Sequence, residues 1–247
     1  MELFYTEDYE GEMVSVASSW RDKNDPNKMT WVEKTVINDE HDGIAHVIGN
    51  ATSRKDFEIR FLKGQTGGSQ GVRSVGQSYG CNLLYKDFHP TFLICTNATL
   101  CDELSESDYC EDNIVYSNIK NILKHPDKFH LYPNHFLATA GTLATRMACA
   151  DGHKTIYLLG MTTYLQEDDN IYLGENECYT ELEDRGPANQ KFTYEMSRLF
   201  LTYSDVQFYL VVKEKGLMPE AYNWCPNIKE ISHLEYINLA SLGAVAH

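Results

Sequence analysis

Short apolar runs alternate with longer amphipathic stretches from residue 43 onwards, and this alternation restricts the fold more than any other feature. The runs "IAHVIGN", "TFLICTN", "KTIYLLGM" and "VQFYLVV" have the length and composition of buried strands. Between them lie patterns typical of helices, such as "PANQKFTYEMSRLFLTYSD" with Pro187 near its first turn. Strands that alternate with helices predict an α/β domain with a mainly parallel sheet and helices on both faces.

Weaker patterns fill in the remaining elements. Further candidate strands are "GVRSVGQS", "NIVYSN" and "KFHLYP", and further candidate helices are "YGCNLLYKDF", "ATLCDELSES" and "HFLATAGTLATRMACADG". Gly152 is expected to close the last of these helices. The stretch "SRKDFEIRFLKG" fits a short helix or a strand. After "VQFYLVV" as the last strand, the tail "IKEISHLEYINLASL" predicts a docked terminal helix.

Residues 1–42 are more polar than the rest, and we expect them to form an extension packed on a main domain of residues 43–247. The runs "MVSVAS" and "TWVEKTVI" alternate like strands, and Asp25-Pro26-Asn27 between them is turn chemistry, which predicts a hairpin. Residues 165–186 are acidic and weakly periodic. A stretch of that length predicts a lid, an interface or a disordered flap.

The formal net charge of −15 over 247 residues argues against nucleic acid and anionic membrane as partners. No apolar stretch approaches the roughly 20 residues of a membrane helix, and the acidic start "MELFYTEDYEGE" does not resemble a signal peptide. The seven cysteines are scattered without a Cys-x-x-Cys motif, which favours free thiols over disulfides or a zinc site. We therefore expect a cytoplasmic protein with reduced cysteines, and its 29 aromatic residues (16 Tyr, 10 Phe, 3 Trp) leave room for a homo-oligomeric interface.

Small and amide-bearing residues follow the predicted strands, at the sheet edge where α/β proteins bind ligands. Such residues allow close approach of the backbone to a ligand, although they also form ordinary turns and helix caps. The candidates are Gly49, Asn50, Ser53, Arg54, Gly80, Asn82, Asn97, Gly141, Thr142 and Thr162. Residues 49–86 carry six Lys or Arg against two Asp or Glu, a local charge of +4 (6 − 2). This basic stretch suits a bound anion such as phosphate, or it is a solvated helix face.

Catalytic groups have a weaker signal in the sequence. The first loop is neither a Walker A motif nor Gly-x-Gly-x-x-Gly, and neither Gly-x-Ser-x-Gly nor His-Glu-x-x-His occurs. His135 at a strand end is the candidate acid or base, whereas His46 alternates within a strand and is expected in the core. Asp168, Asp169, Glu175 and Glu177 could hold a divalent metal, but a solvated acidic loop is the favoured interpretation, so no metal site is predicted.

Four stretches resemble, in order and spacing, a group of phage and bacterial proteins. They are "HVIGNATSRKDF", "SYGCNLLYKDFHPTFLICTN", "GTLATRMACADGHKTIYLLGM" and "PNIKEISHLEYI". The group comprises 6-hydroxymethylpterin-diphosphokinase-like and motility-accessory-factor-like domains together with sialyltransferase-like proteins, and the likeness is strongest to uncharacterised proteins of marine cyanophages. The resemblance implies a Rossmann-like fold that binds a nucleotide or pyrophosphate. A phage-encoded chain would work in the host cytoplasm.

The resemblance also implies roles for particular residues. It implies a phosphate loop of Gly49, Asn50, Ser53 and Arg54, a second wall of Gly80, Cys81 and Asn82, and a turn of Ala140, Gly141 and Thr142 beside the nucleotide. Three positions depart from the pattern of the group: Ala51-Thr52 stands where Gly-Pro is frequent, and Asn97 and Thr162 stand where acidic residues are frequent. Neutral side chains at the last two positions favour ligand binding that needs no divalent metal.

The first functional hypothesis is a transferase acting on a nucleotide-activated substrate, with a glycosyltransferase that uses a nucleotide sugar as the leading case. In this hypothesis Asn50, Ser53 and Arg54 hold phosphates, and Asn82 and Asn97 orient sugar or base. The alternatives on the same fold are a pterin or pyrophosphate transferase and a non-catalytic phage accessory or structural protein.

Overall fold

The computed structural model describes residues 2–7, 13–21, 29–33, 43–57, 59, 62, 76–125, 128–132, 138–162, 170–175, 186–216 and 218–243. The strands are β1 (Glu2–Glu7), β2 (Met13–Arg21), β3 (Met29–Glu33), β4 (Ile44–Ile48), β5 (Gln77–Cys81), β6 (Phe92–Ile94), β7 (Ile114–Ser117), β8 (His130–Leu131), β9 (Thr155–Leu159), β10 (Gln207–Val212) and β11 (Ile228–Ser232). The α-helices are α1 (Ala98–Glu106), α2 (Tyr109–Asp112), α3 (Ile119–Lys124), α4 (Ala140–Ala150), α5 (Gly186–Thr202) and α6 (His233–Gly243). Short 3₁₀ helices span Thr52–Arg54, Asn82–Lys86 and Glu220–Tyr222.

One eight-stranded sheet forms the centre of the α/β domain, in the order β11-β10-β9-β4-β5-β6-β7-β8. Each neighbouring pair is parallel. The chain enters the sheet at β4, builds β5 to β8 on one side, and then crosses over to build β9 to β11 on the other side. The predicted α/β, Rossmann-like fold with a parallel sheet is confirmed.

Both faces of the sheet are buried, which explains why its strands are continuously apolar rather than alternating. On one face Val47 and Leu158 pack with Leu143 of α4 and Phe200 of α5. On the other face the neighbouring residues, Ile48 among them, pack with side chains of α1, α3 and α6. Successive side chains of a strand point to opposite faces, so adjacent residues feed the two cores in turn. Helices therefore cover both faces, as the sequence predicts.

The predicted core position of His46 is confirmed, since the side chain is fully buried. Its Nδ1 lies 2.7 Å from the hydroxyl of Tyr236 on α6, and its ring stacks on Tyr157 of β9. Gly152, with φ of 94°, follows α4 as predicted. None of the helices within the described ranges combines the length and apolarity needed to cross a bilayer.

The N-terminal segment contains a separate three-stranded antiparallel sheet in the order β1-β2-β3. The predicted hairpin corresponds to β2 and β3, which pair with Ser18 opposite Val32. The strand β1 extends this hairpin and had no counterpart in the sequence prediction. Packing of residues 1–42 on the main domain stays a prediction.

Three predicted elements need correction. The tail is not helical throughout, because Ile228–Ser232 form β11 beside β10, and α6 begins only at His233. Ser232 and Glu235 cap this helix reciprocally: Glu235 N donates to Ser232 Oγ (3.2 Å), and Ser232 N donates to Glu235 Oε2 (2.7 Å). The predicted strand "GVRSVGQS", residues 71–78, is shifted, because β5 begins at Gln77 and includes Gly80. The stretch "SRKDFEIRFLKG", which fits a helix or a strand in sequence, begins in a single 3₁₀ turn formed by Thr52–Arg54.

Candidate functional site

The order of the sheet reverses between β4 and β9, and the carboxyl ends of these two strands lie side by side there. Gly49 N donates to Leu159 O (2.8 Å), and Ala51 N donates to Gly160 O (3.0 Å), so the two chains stay in contact past the ends of the strands. In open α/β sheets the crevice at such a reversal is where ligands bind. We refer to the carboxyl ends of β9, β4 and β5 as the carboxyl-edge site.

Gly49 and Gly160 are required by this close contact. A Cβ at Gly49 would lie 2.3 Å from Gly160 O and 2.6 Å from Met161 Sδ. Gly160 has φ of +60°, a conformation that side chains other than glycine rarely adopt. The abrupt end of the apolar run at Gly49 thus has a structural cause in the pairing of two strand ends. Its predicted role in a phosphate loop stays a prediction.

Asn50 follows β4 and Thr162 follows the neighbouring strand β9, and both side chains are buried. Asn50 Nδ2 donates to Cys81 O at the end of β5 (3.3 Å), and Asn50 O accepts from Ile171 N (2.8 Å). The Thr162 hydroxyl donates to the Ser53 hydroxyl. The structure therefore brings together four of the predicted site residues: Gly49, Asn50, Ser53 and Thr162.

Arg54 is turned into the protein, with only 5% of its surface exposed. Its Nε donates to Gly49 O (2.7 Å), and its Nη2 donates to the hydroxyl of Tyr172 (2.9 Å) and lies 3.5 Å from Asp87 Oδ2. The Tyr172 hydroxyl in turn donates to Asp87 Oδ2 (2.6 Å). Two of the three guanidinium nitrogens thus have partners within the protein, so the predicted contact of Arg54 with a phosphate stays a prediction that depends on Nη1.

The basic stretch around Arg54 is partly neutralised by these and similar pairs. Lys86 Nζ lies 3.2 Å from Glu103 Oε1 and 3.7 Å from Glu175 Oε2. Lys55 is exposed, and Arg60, Lys63 and Arg73 lie outside the described residues. Two of the six cations, Arg54 and Lys86, therefore lie beside carboxylates from outside the stretch, while Asp56 within it pairs with Lys213.

Asn82 follows β5 directly and has the unusual backbone angle φ of 53°, in the left-handed region. It is half-buried, and its Oδ1 is buried without a hydrogen-bond partner among the residues that the structure describes. Gly80, two residues earlier, lies inside β5, where a Cβ would meet Leu84 Cδ2 at 2.4 Å and Pro90 Cγ at 2.8 Å. Gly80 is thus explained by packing under the sheet edge, whereas Asn82 has a buried, unsatisfied acceptor at that edge.

Cys81, between these two residues, is a protonated core thiol. Burial is the largest cause that raises its pKa, to about 12, and nearby Arg54 offsets this only in part. The same cause raises the pKa of Tyr172. Neither group is a ready base or nucleophile at neutral pH.

Asn97 lies at the end of β6 and serves as the N-cap of α1. Its Oδ1 accepts from Leu100 N (3.2 Å), which satisfies one of the unpaired N–H groups of the first helical turn. The side chain is exposed. Its predicted contact with sugar or base stays a prediction, and its capping role explains the residue without a ligand.

The turn of Gly141 and Thr142 begins α4, and Gly141 packs on Met161, since a Cβ there would lie 3.1 Å from Met161 Cε. A carboxylate of the protein already lies at this helix N-terminus. Glu195 Oε2 accepts from Thr139 N (3.0 Å), Thr139 Oγ1 (3.2 Å) and Thr142 Oγ1 (3.1 Å). This carboxylate uses the donors that the sequence offers to a nucleotide phosphate.

His135, the candidate acid or base, and Asp168 and Asp169 of the acidic stretch lie outside the described residues. Within the described residues there is no group of three or more His, Cys, Asp and Glu that could hold a metal ion. The described part of the acidic stretch, residues 170–175, lies against the carboxyl-edge site: Asn170 pairs with Ala51, and Tyr172 bonds to Arg54.

Sequence reasoning missed Tyr172, Asp87 and Glu195, although all three satisfy predicted site residues. Their partners are 33 to 118 residues away in the chain, from Arg54 with Asp87 to Arg54 with Tyr172. No local pattern marks such pairs. A buried basic residue does signal that a partner must exist, because an unpaired buried charge is strongly unfavourable.

No protein-family model matches the chain, and no curated protein matches it. Among solved structures it is similar to the sialyltransferase CstII from Campylobacter jejuni in complex with CMP-3FNeuAc, with 15% identity, a TM-score of 0.46, and coverage of 75% of this chain and 87% of that one. A second structure of that enzyme, with cytidine-5'-monophosphate, gives 16% identity, a TM-score of 0.47 and coverage of 76% and 87%. A third, with a trisaccharide acceptor and CMP, gives 15%, 0.45, and 74% and 86%. Similarity at this level says nothing further about ligand or activity.

Proposed function

We propose that this chain binds a nucleotide-activated sugar at the carboxyl-edge site and transfers the glycosyl group to an acceptor. The proposal is supported by the reversal of strand order between β4 and β9, the position at which α/β sheets bind ligands. It is also supported by the side chains there, since Asn50, Ser53, Asn82 and Thr162 supply amides and hydroxyls at adjoining strand ends. The resemblance of these stretches to sialyltransferase-like proteins is the reason to choose a nucleotide sugar.

The observation that carries the proposal is the state of Asn82. A buried acceptor without a partner costs about 1–3 kcal/mol, and a non-glycine residue in the left-handed region costs roughly another 1 kcal/mol. Within the described residues, Oδ1 has no hydrogen bond that offsets the first of these costs. A ligand N–H or O–H bonded to Oδ1 would satisfy this acceptor, and nucleobases and ribose both carry such donors.

The remaining roles follow from position. Asn50 holds the end of β4 to the end of β5, so it supports the wall on which Asn82 stands. Ser53 and Thr162 share a hydrogen bond that a phosphate oxygen could replace, and Arg54 would contribute its Nη1. Residues 170–175, linked to Asn50 and Arg54, would cover the bound nucleotide as part of a lid. His135 stays the proposed acid or base.

The test is calorimetric titration of the full chain with CMP, UMP, GMP, AMP, representative nucleotide sugars and a pterin. Asn82→Gly is the informative variant, because it removes the amide and also relieves the backbone strain. We expect its affinity for the bound nucleotide to fall by about fivefold, the effect of losing one hydrogen bond of about 1 kcal/mol. Its free energy of unfolding should stay the same or rise.

Two controls make the result specific. Asn82→Ala should weaken binding equally but also lower stability by about 1 kcal/mol, since alanine is strained in the left-handed region. Asn223→Gly, at an exposed asparagine, should leave binding unchanged. If the unmutated chain binds no member of the panel, or if Asn82→Gly binds with unaltered affinity, the proposal fails.

A nucleotide-binding protein without turnover is the second candidate. It is favoured by the chemistry of two strand ends, since Asn97 caps α1 and Thr162 bonds to Ser53, and neither side chain can take a proton as a carboxylate would. Chromatographic detection of released nucleotide over hours, with a range of acceptors, separates binding with transfer from binding alone. Tight binding of a pterin in the panel would instead favour the pterin or pyrophosphate transferase alternative.

A further inference from the structure

Two cysteines lie in contact beneath the carboxyl edge of the sheet. Cys95 follows β6, and Cys101 lies one turn into α1. Their Sγ atoms are 3.6 Å apart, and both side chains are fully buried. Neither cysteine forms a disulfide bond in the structure.

The surroundings of this pair are polar, unlike the apolar surroundings of an inert core thiol. Cys101 Sγ accepts from Asn121 Nδ2 (3.2 Å), donates to Cys95 O (3.3 Å) and lies 3.4 Å from Ser117 Oγ. The Ser117 hydroxyl donates to Cys95 O (2.5 Å). The Asn121 amide is thus a donor aimed at sulfur, and such a donor stabilises a thiolate, which is the reactive form of cysteine.

The pKa values of the two thiols move apart for the same reason. The hydrogen bond from Cys95 is the largest cause that lowers the pKa of Cys101, and bonds from Ser117 and Asn121 add to it. The same bond is the largest cause that raises the pKa of Cys95. Cys101 is thus the nucleophile of the pair, and Cys95 is the protonated thiol beside it.

We propose that Cys95 and Cys101 are a peroxide-sensitive dithiol that closes to an intramolecular disulfide bond. The thiolate of Cys101 attacks one oxygen of hydrogen peroxide, the O–O bond breaks, and Cys101 becomes a sulfenic acid with release of hydroxide. The Cys95 sulfur then attacks the sulfenic sulfur, the S–O bond breaks, and the Cys95 proton leaves with the hydroxyl as water. Two thiols are oxidised and one peroxide is reduced to two waters.

Neighbouring cysteines lack these features. Burial is the largest cause that raises the pKa of Cys81, Cys110 and Cys225, which keeps each as an unreactive thiol. The reaction should therefore be confined to one pair among the described cysteines, even though Cys81 and Cys225 are about as buried as that pair.

The disulfide would act on the turn that carries Asn97. Thr96 O accepts from Asn118 Nδ2 (3.0 Å) and Asn121 Nδ2 (3.2 Å), and Asn121 also holds Cys101 Sγ. Drawing the two sulfur atoms into a bond displaces Asn121 from sulfur and shifts the start of α1 against the end of β6. Any effect on nucleotide affinity rests on the proposed function and is read separately from the oxidation itself.

The test is peptide mapping of the full chain after exposure to hydrogen peroxide, alkylation under denaturing conditions, and digestion with trypsin and a glutamate-specific protease. Cleavage after Lys86 and Glu103 releases residues 87–103, which contain Cys95 and Cys101 and no other cysteine. We expect this peptide about 2 Da lighter and unalkylated, while the peptide with Cys110 stays alkylated. The thiol count of the denatured chain should fall from seven to five (7 − 2).

Cys95→Ser provides the second readout, because it removes the resolving thiol. Its Cys101 should then remain a sulfenic acid that reacts with a dimedone probe, whereas Cys101→Ser should give no probe reaction in this peptide. Full alkylation of residues 87–103 in the unmutated chain, under peroxide that oxidises added glutathione, overturns the proposal. So does a disulfide that joins either residue to another cysteine. Neither readout requires a nucleotide, so this inference can fail or stand independently of the proposed function.

Discussion

The two edges of the central sheet both bury polar side chains, but the chemistry of these side chains differs: ionisable groups lie at the amino edge, and amides and hydroxyls lie at the carboxyl edge. At the amino edge the Tyr79 hydroxyl donates to Asp151 Oδ2 (2.6 Å) and lies 3.1 Å from His153 Nε2, and His153 Nδ1 lies 3.0 Å from Gly43 O. We call Tyr79, Asp151 and His153 the amino-edge cluster. At the carboxyl edge, Asn82 Oδ1 has no partner among the described residues.

This difference separates a structural network from the proposed binding site. The Tyr79, Asp151 and His153 side chains are buried, and they join the end of α4 to the start of β9 and the middle of β5. The amide of Asn82 is less reactive chemically, but it lies at the edge of the sheet where α/β proteins bind ligands. Position in the sheet is therefore a better guide to the site than a concentration of ionisable groups.

The largest expected loss of stability comes from a substitution that breaks the amino-edge cluster. Asp151→Ala removes the buried carboxylate that accepts from the Tyr79 hydroxyl, which keeps Gln77 Oε1 (2.9 Å) as its other acceptor. Because the change breaks a buried hydrogen-bond network, it should lower the free energy of unfolding by about 3 kcal/mol. Asp151→Asn keeps an acceptor and should lose less. Urea unfolding followed by circular dichroism measures both, with Asp205→Ala, at an exposed ion pair, as the control. The affinity for nucleotide should not change, and a selective loss of affinity would contradict the structural assignment.

A somewhat smaller effect is expected at the carboxyl edge from Arg54→Ala. The change removes donors to Gly49 O and the Tyr172 hydroxyl and should lower the free energy of unfolding by about 2 kcal/mol. The pair with Asp87 adds little, because that carboxylate is 40% exposed. Lys213→Ala, which removes an exposed ion pair with Asp56, is the matched control and should be nearly neutral.

The nucleotide affinity of Arg54→Ala tests whether Arg54 contacts a bound ligand. The sequence predicts a phosphate contact, and loss of a charged hydrogen bond through Nη1 would weaken nucleotide binding by roughly 1.5–3 kcal/mol. Arg54→Lys keeps a positive charge but cannot reach Gly49 O and Tyr172 together. A stability loss with unchanged affinity would show that Arg54 only links β4 to residues 170–175.

These residues also mark how far sequence reasoning reaches. The parallel sheet and the ends of β4 and β9 were predictable, because apolar runs stop at small residues there. Caps such as Asn97 and Thr139 follow from local chemistry and were available from sequence too. The partners of Arg54 and Thr142 were not, because Tyr172 and Glu195 are brought to them only by the tertiary fold.

The missed strand β11 has a different physical reason. Ile228 and Ile231 are three residues apart, a spacing that fits one face of a helix. In a strand that spacing places them on opposite faces, and each is buried in a different core because helices cover both faces of the sheet. Apolar spacing alone therefore could not distinguish a strand buried on two sides from the first turn of α6.

Acid should destabilise the protein through His46, which lies in the sheet between the two edges. Burial is the largest cause that lowers its pKa, to about 3, and His153 adds to the effect. Its contribution to stability is complete above pH 6.5, the ordinary pKa, and is lost as the pH falls toward 3, because only the unfolded chain takes up the proton in that range. The loss is about 1.4 kcal/mol per pH unit, or roughly 2 kcal/mol at pH 5.

The comparison of His46→Leu with the unmutated chain isolates this effect. The variant loses the bond to Tyr236 and starts less stable at pH 8, but its free energy of unfolding should fall by roughly 2 kcal/mol less between pH 8 and pH 5. If the free energies of unfolding of the two proteins fell in parallel between pH 8 and pH 5, His46 would take up its proton in the folded chain over the same pH range as in the unfolded chain.

The smallest expected effect is that of divalent metal on nucleotide binding. Asn97 and Thr162 end β6 and β9 with an amide and a hydroxyl, which donate and accept hydrogen bonds but carry no charge to hold magnesium. The affinity in chelator and in millimolar magnesium should therefore agree within about twofold, well below the tenfold that corresponds to 1.4 kcal/mol. Asn97→Asp sharpens the test, because aspartate caps α1 as well as asparagine does and places a carboxylate at the exposed edge. That variant should gain a magnesium dependence that the unmutated chain lacks. A strong dependence in the unmutated chain would instead point to carboxylates elsewhere, with Asp168 and Asp169 of the acidic stretch as the first to replace by asparagine.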